Sequence, residues 1–347
     1  NAPWTPQMDY RCSPWLDAKR YLDPAGLWQI ELEGIGRTIQ SRQAGTVRVY
    51  SVATAGLATR GGRDAIVKYL RDVDRLCEHL TWERRGRIRF TLLADHGHDL
   101  APAGRFDIRK ALDAGGYAVS RRLGDHRDVY VPEYGLVSCA VLYTRDPEGV
   151  AGALLTAPAV DLVMYPARGE SSDSVIVVRS GSQLARIRRT PGGFAYDAAE
   201  GDPLKLASIL ESLRASGEVG PDGSVADRDW FVATAEHVYP DPLWRIWTGF
   251  HGLVENPADV IVSLRERYFC GSAFFPAMVN VASTHGALTR RGSTTFAMSN
   301  QVSLPPLLRV ENLNPFLTQS RQTYSPNLFR RYFRPSTSRP QPAQFRS

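Results

Sequence analysis

Long apolar runs are missing from this chain. No stretch of 18 or more uncharged apolar residues occurs, and the most apolar one, near Phe269 to Val281, is interrupted by Gly, Ser, Pro and Asn. No segment is expected to cross a bilayer as a helix. Cysteine is scarce as well: Cys12, Cys77, Cys139 and Cys270 have no CxxC spacing and no histidine at finger spacing, which excludes zinc-finger and thioredoxin chemistry. Read as buried thiols, they leave the redox compartment undefined. There is no phosphate loop, no nucleophile elbow and no HExxH, and Gly34-Ile35-Gly36 lacks a third glycine and follows no strand. No period on the order of 20 to 50 residues repeats, so solenoids and propellers are excluded. The sequence opens on Asn1 with no basic-then-apolar leader, as expected of a processed or truncated chain.

What is present is ordinary globular material, since 43% of residues are hydrophobic and 22% charged, enough to bury a core. The formal charge of +6 comes from one end: residues 301–347 are rich in arginine and carry a single acidic residue, Glu311, while the remainder is near neutral. A general field for nucleic acid is therefore absent, and specific nucleic-acid binding is not expected. The same tail holds Pro305, Pro306, Pro315, Pro326, Pro335, Pro340 and Pro342, which forbid a continuous helix or interior strand. Phe316, Tyr324, Phe329, Tyr332 and Phe333 between its arginines suit an extended arm that wraps a protein partner. The alternative is a disordered end; peripheral contact with an anionic membrane is also open.

Hydrophobic periodicity outlines the rest. Residues 1–45 read as an opening segment followed by one helix over Leu27 to Ile39. Val47, Val49 and Val52 read as a strand, Ile66 to Leu80 as a helix, and Arg87 to Ala94 as a second strand, together a parallel crossover. Strands are expected at Val137–Tyr143, Asp161–Tyr165, Val175–Val178, Leu184–Ile187, Phe194–Tyr196 and Val260–Leu264, with helices over Pro147–Thr156, Pro203–Ala215 and Ala226–His237. The expected fold is α/β, with a mixed, mostly parallel central sheet flanked by helices built from 46–114 and 242–300. An antiparallel cap would span 115–241, and the tail 301–347.

Ala94-Asp95-His96-Gly97-His98-Asp99 follows the predicted strand ending at Ala94, so its side chains are expected at the carboxyl edge of the sheet, where α/β proteins place ligands. Asp95 beside His96 offers a carboxylate and an imidazole, a set suited to zinc or another first-row divalent ion, and at least one further ligand must come from elsewhere. The bland alternative is a polar loop closing a strand. His285, in Ser283-Thr284-His285-Gly286, is the other glycine-trailed imidazole; taken singly, a loop histidine is structural. His237 and His251 border aromatic helices and read as packed residues, His79 and His126 as surface ones.

Asp95-His96-Gly97 after a strand, Thr284-His285-Gly286 followed by Ser293-Thr294-Thr295-Phe296, and Asn256-Pro257-Ala258-Asp259-Val260 together resemble the alkaline phosphatase superfamily. The likeness is closest to its type I phosphodiesterase/nucleotide pyrophosphatase and sulfatase-like members, and runs from about Val47 to about Arg309. It implies an α/β sandwich, two divalent metals, usually zinc, a Thr or Ser nucleophile near the N-terminus, and hydrolysis of phosphate or sulfate esters. On that resemblance Asp95 and His96 fall on ligands of the metal that activates the nucleophile, and His285 on a ligand of the metal facing the substrate or attacking water.

The sequence departs from the pattern where the superfamily carries Thr-Asp-x-x-Gly-His. Here Thr54-Ala55-Gly56-Leu57-Ala58-Thr59 puts Ala55 and Thr59 at the ligand positions, and a methyl group cannot coordinate. Asn1 to Gly45 has no counterpart of the opening strand with its Asp ligand and nucleophile. The expectation is a degenerate member, with at most one bound divalent ion, zinc first, and a role in binding or assembly as a complex subunit. The alternative is a metal-dependent phosphodiesterase or phosphatase completed by an N-terminal segment outside this chain. An extracytoplasmic or membrane-peripheral location is expected.

Overall fold

The computed structural model describes residues 5–313 except 14–15, 17–18, 134, 169–174, 253 and 274–279. The chain divides at Gln301/Val302 into two compact units. In the second, residues 302–309 are irregular, Val310–Leu313 form a single 3-10 turn, and Leu313 is buried. The arm expected beyond it lies outside the described residues.

The first unit begins with a 3-10 turn at Thr5–Gln7 and two helices, α1 (Pro24–Ser41) and α2 (Ala53–Glu83). Asp23 caps α1 by accepting the Gly26 N–H at 3.0 Å, with Pro24 at the first position, where a missing N–H costs nothing. The fully buried Glu31 on α1 caps α2 from outside, its carboxylate accepting Ser51 Oγ at 2.6 Å, Val52 N at 3.2 Å and Ala53 N at 2.9 Å. That capture explains a correction: the β-branched run Val47 to Val52 is not a strand, because its end turns into a helix start, and only Val49 makes a bridge, to Tyr10. Gly62 breaks α2 with φ 56° and ψ −143°, a left-handed backbone that glycine adopts at little cost.

Then follow β1 (Thr91–Leu93), β2 (Gly104–Arg105), α3 (Ile108–Ala114), β3 (Ala118–Val119), β4 (Asp128–Tyr130), β5 (Cys139–Thr144), α4 (Pro147–Leu155), β6 (Val160–Pro166), β7 (Val175–Ser180), β8 (Gln183–Thr190) and β9 (Gly193–Glu200). After α5 (Ala207–Ala215), α6 (Asp227–Ala233) and α7 (Pro242–His251) come β10 (Val260–Leu264), β11 (Tyr268–Phe269), α8 (Arg290–Ser293) and β12 (Ala297–Ser299). The fold is mixed α/β. An eight-stranded sheet runs in the order β3-β4-β5-β10-β6-β7-β8-β9.

That sheet is mostly antiparallel, not mostly parallel: β3 and β4 pair in parallel, and every other neighbouring pair in it is antiparallel. Two causes are visible. The two-residue turns after Ser180 and Thr190 can only join antiparallel neighbours. In addition, β5-α4-β6 is a crossover with parallel ends, but β10 inserts between its strands and runs opposite to both. Strands expected in the core and in the cap thus share one sheet. β1 is not in it at all; it pairs only with β12 in a separate ribbon, so the crossover expected from 47 to 94 does not form.

The sheet is covered on both faces. Leu142, Val163, Val262 and Val177 pack against Leu112 of α3 and Val150 and Leu154 of α4. On the other face Leu162, Met164, Ile176, Ile187 and Phe194 meet Leu213, Trp230, Leu243, Ile246 and Phe250 of α5 to α7. β6 is buried on both faces, which its unbroken apolar run required. Each fully buried Leu or Ile among these contributes about 1.5–3 kcal/mol. No helix among the described residues is long and apolar enough to cross a membrane.

Candidate metal centre

Two loops build the site. The first leaves β1, where Ala94 N–H still donates to Phe296 of the ribbon at 3.2 Å, and carries His96-Gly97-His98-Asp99. Gly97 makes the path possible: a Cβ there would stand 2.3 Å from the Arg291 carbonyl oxygen and 2.5 Å from that of Thr294. The second loop, 281–288, comes from the opposite direction. Thr59 accepts the Ala282 and Ser283 N–H groups at 2.7 and 3.2 Å, and Ser138, ahead of β5, donates its N–H to His285 at 2.6 Å. Thr284 Oγ1 donates to Leu136 at 2.9 Å, and Leu288 N–H reaches Ser263 Oγ near the end of β10 at 2.9 Å. Asp99 joins the two loops: its N–H donates to Thr284 and its Oδ1 accepts from the Thr284 N–H, both at 2.9 Å.

This clasp brings three half-buried imidazoles together, and one ring nitrogen from each of His96, His98 and His285 lies within 4.8 Å of the other two. His96 and His285 stack with ring centroids 3.9 Å apart and planes at 12°; His98 lies 4.8 Å from His285 and 5.5 Å from His96, tilted to both. His96 Nδ1 sits 3.0 Å from the Gly97 carbonyl, which can only accept, so Nδ1 carries a proton and, of the two neutral tautomers, the contact selects the one with its lone pair on Nε2. Burial, then the neighbouring His96, depresses His98 to about 4. Burial and then His96 and His98 depress His285 to about 3, with Asp95 opposing. Both rings are neutral at physiological pH, the form that ligates metals. The cluster could hold a metal ion; three imidazole nitrogens suit zinc, copper, iron or nickel.

Of the residues expected from sequence, His96 and His285 come together. Asp95 stands beside them, its Oδ1 3.6 Å from His96 Nε2, with a side chain 62% exposed, and it is not one of the three mutually close groups. The large sheet, being mostly antiparallel, has no common carboxyl edge; the site lies where the 281–288 loop meets the start of β5 and the end of β10. His98 was not singled out, yet His96-Gly97-His98 carried a signal: in extended backbone, positions i and i+2 face the same side. Thr59, only 1% exposed, and the half-buried Ala55 lie on the first turns of α2, and Thr59 touches the loop of His285 through its carbonyl. His237 is packed between the Tyr239 and Lys205 backbones and His251 stacks on Trp247, while His79 and His126 are exposed beside Glu83 and Asp125.

No protein-family model matches the chain, and no curated protein or solved structure matches it.

Proposed function

We propose that this chain holds one zinc ion on His96, His98 and His285 and acts as a single-metal ester hydrolase rather than a two-metal one. The observation that carries the reading is the convergence of three imidazoles, with no fourth side chain in the group among the described residues. Structural zinc sites are closed by four protein ligands, whereas catalytic ones use three and leave a position open. A bound zinc ion supplies a Lewis acid that brings the pKa of water toward neutrality. The chain supplies the rest. Neutral imidazoles present lone pairs, the Asp99 clasp fixes the loops that carry them, and the exposed Asp95 carboxylate beside His96 is placed to accept a proton from the solvent side.

The resemblance to the alkaline phosphatase superfamily supplies the substrate class, phosphoric or sulfuric esters, and in that comparison the chain is degenerate. Two-metal displacement needs ions on both sides of the reacting group. Among the described residues one group of three ligands occurs, and Ala55 and Thr59 offer a second ion nothing. That same loss favours a second reading, binding or assembly without turnover, with the arginine-rich 301–347 tail holding a protein partner.

Elemental analysis of the purified chain is expected to find one zinc equivalent, lost in His98→Ala as fully as in His96→Ala or His285→Ala. Turnover of phosphodiester, phosphomonoester or sulfate ester that disappears in His98→Ala supports the hydrolase, and one zinc with no turnover supports the binding role. Two equivalents, or none, overturn the one-metal site.

A further inference from the structure

Behind His98 lies a short polar chain that the ligand set does not use. Ser283 is fully buried, and its Oγ has three neighbours: His98 Nδ1 at 3.0 Å, the Leu100 N–H at 3.1 Å and Asp99 Oδ1 at 3.3 Å. A hydroxyl has one proton to give. The Leu100 N–H can only donate to it, and an ionised carboxylate can only accept from it, so the Ser283 proton points to Asp99 and the hydroxyl oxygen accepts from both other neighbours. His98 is left as a donor through Nδ1. Asp99 is itself held fast: it is 5% exposed, and its oxygens also accept from Thr284 N at 2.9 Å, Ala101 N at 3.3 Å and Arg267 N at 3.4 Å.

We infer that Asp99 and Ser283 are positioning residues that fix His98 in the Nδ1–H tautomer through an Asp99-Ser283-His98 relay, leaving the lone pair on Nε2. The inference rests on the one-metal reading for its purpose, but not for its geometry. Metal-ligating histidines commonly donate their second nitrogen to a carboxylate or carbonyl, which sets the tautomer and the ring angle. Here a serine is interposed. His96 reaches the same state by a different route, through the Gly97 carbonyl.

Long-range 15N–1H NMR of the full chain labelled in histidine reads the tautomer directly, with zinc removed, at neutral pH. His98 is expected in the Nδ1–H form in the wild type, and Ser283→Ala is expected to abolish that preference. In parallel, titration with zinc alone should give about 10–100-fold weaker binding for Ser283→Ala than for the wild type. An Nε2–H signal for His98 in the wild type overturns the relay without recourse to any variant. So does a Ser283→Ala protein that loses zinc affinity while His98 keeps its tautomer, since that loss would be one of packing. If zinc does not bind but His98 is Nδ1–H, the metal reading fails and the relay stands.

Discussion

The imidazoles of His96 and His285 lie face to face, centroids 3.9 Å apart and planes 12° from parallel. Imidazole lone pairs lie in the ring plane, so two stacked rings aim their nitrogens side by side, whereas ligation needs two Zn–N bonds of about 2.0–2.1 Å converging on one point. Loading an ion therefore turns one ring about its broad terminal torsion. His96 is tied to Gly97 through Nδ1, and no hydrogen bond to the ring of His285 occurs among the described residues, so His285 is the ring that turns. The expected result is loss of the nuclear Overhauser contact between the two rings when zinc is added. A contact that survives saturation means that the stacked pair does not share an ion.

Gly97→Ala is expected to lower the melting temperature and to abolish zinc binding together. The added Cβ would meet the carbonyl oxygens of Arg291 and Thr294 at 2.3 and 2.5 Å, and both are backbone atoms that cannot swing aside. Overpacking of this kind costs about 1–3 kcal/mol. The shift would fall on the residue between His96 and His98, moving both. Thermal melts and a zinc titration on the same preparation check this; a variant with normal zinc affinity would show that the loop can re-form around the larger residue.

Local signals were legible in the sequence and long-range pairing was not. The strands expected at Val175–Val178, Leu184–Ile187 and Phe194–Tyr196 form and pair antiparallel, as expected of that section. Val137 to Tyr143 and Val260 to Leu264 were read as strands, but that β10 would insert between β5 and β6 depends on a long-range pairing, which no local pattern encodes. The run Val47 to Val52 misled because Glu31, distant in sequence, captures its end. At the site, the glycine-trailed histidines marked two of the three clustered imidazoles; His98 joins them because Asp99, the next residue, clasps its loop to that of His285, a long-range contact that no local pattern encodes.

Asp146 sets a pH dependence. It caps α4, accepting Gly149 N at 3.1 Å, and accepts the Tyr117 hydroxyl at 2.6 Å. The Tyr117 hydroxyl chiefly, with the Gly149 N–H, holds its carboxyl below the ordinary value. A carboxyl depressed in the folded state contributes stability that is whole above the unfolded value of about 3.9 and drains as pH falls through the lower folded value. The wild type should therefore exceed Asp146→Asn in melting temperature at pH 6, with the gap closing toward pH 3, and Asp146→Ala should lose about 0.5–2 kcal/mol for the cap alone. A gap that is constant with pH would assign the effect to the cap geometry and not to the charge.

Placing at positions 55 and 59 the ligand types that the proposed alkaline phosphatase resemblance would call for, as Ala55→Asp with Thr59→His, is expected to destabilise the chain without adding a metal. Thr59 is 1% exposed and lies against Ala282 and Ser283, so an imidazole there must displace packed backbone and bury a second polar group. An aspartate at position 55 gains from the helix N-terminus, but the buried Glu31 carboxylate already occupies that end of α2, and the two charges repel. Even if the fold tolerates both changes, the three clustered histidines remain a single ligand group, suited to one ion. The double variant should melt below the wild type and still bind one zinc equivalent. Two equivalents at an unchanged melting temperature would mean that α2 can present a second ligand set, and the two-metal reading would displace the single-metal one.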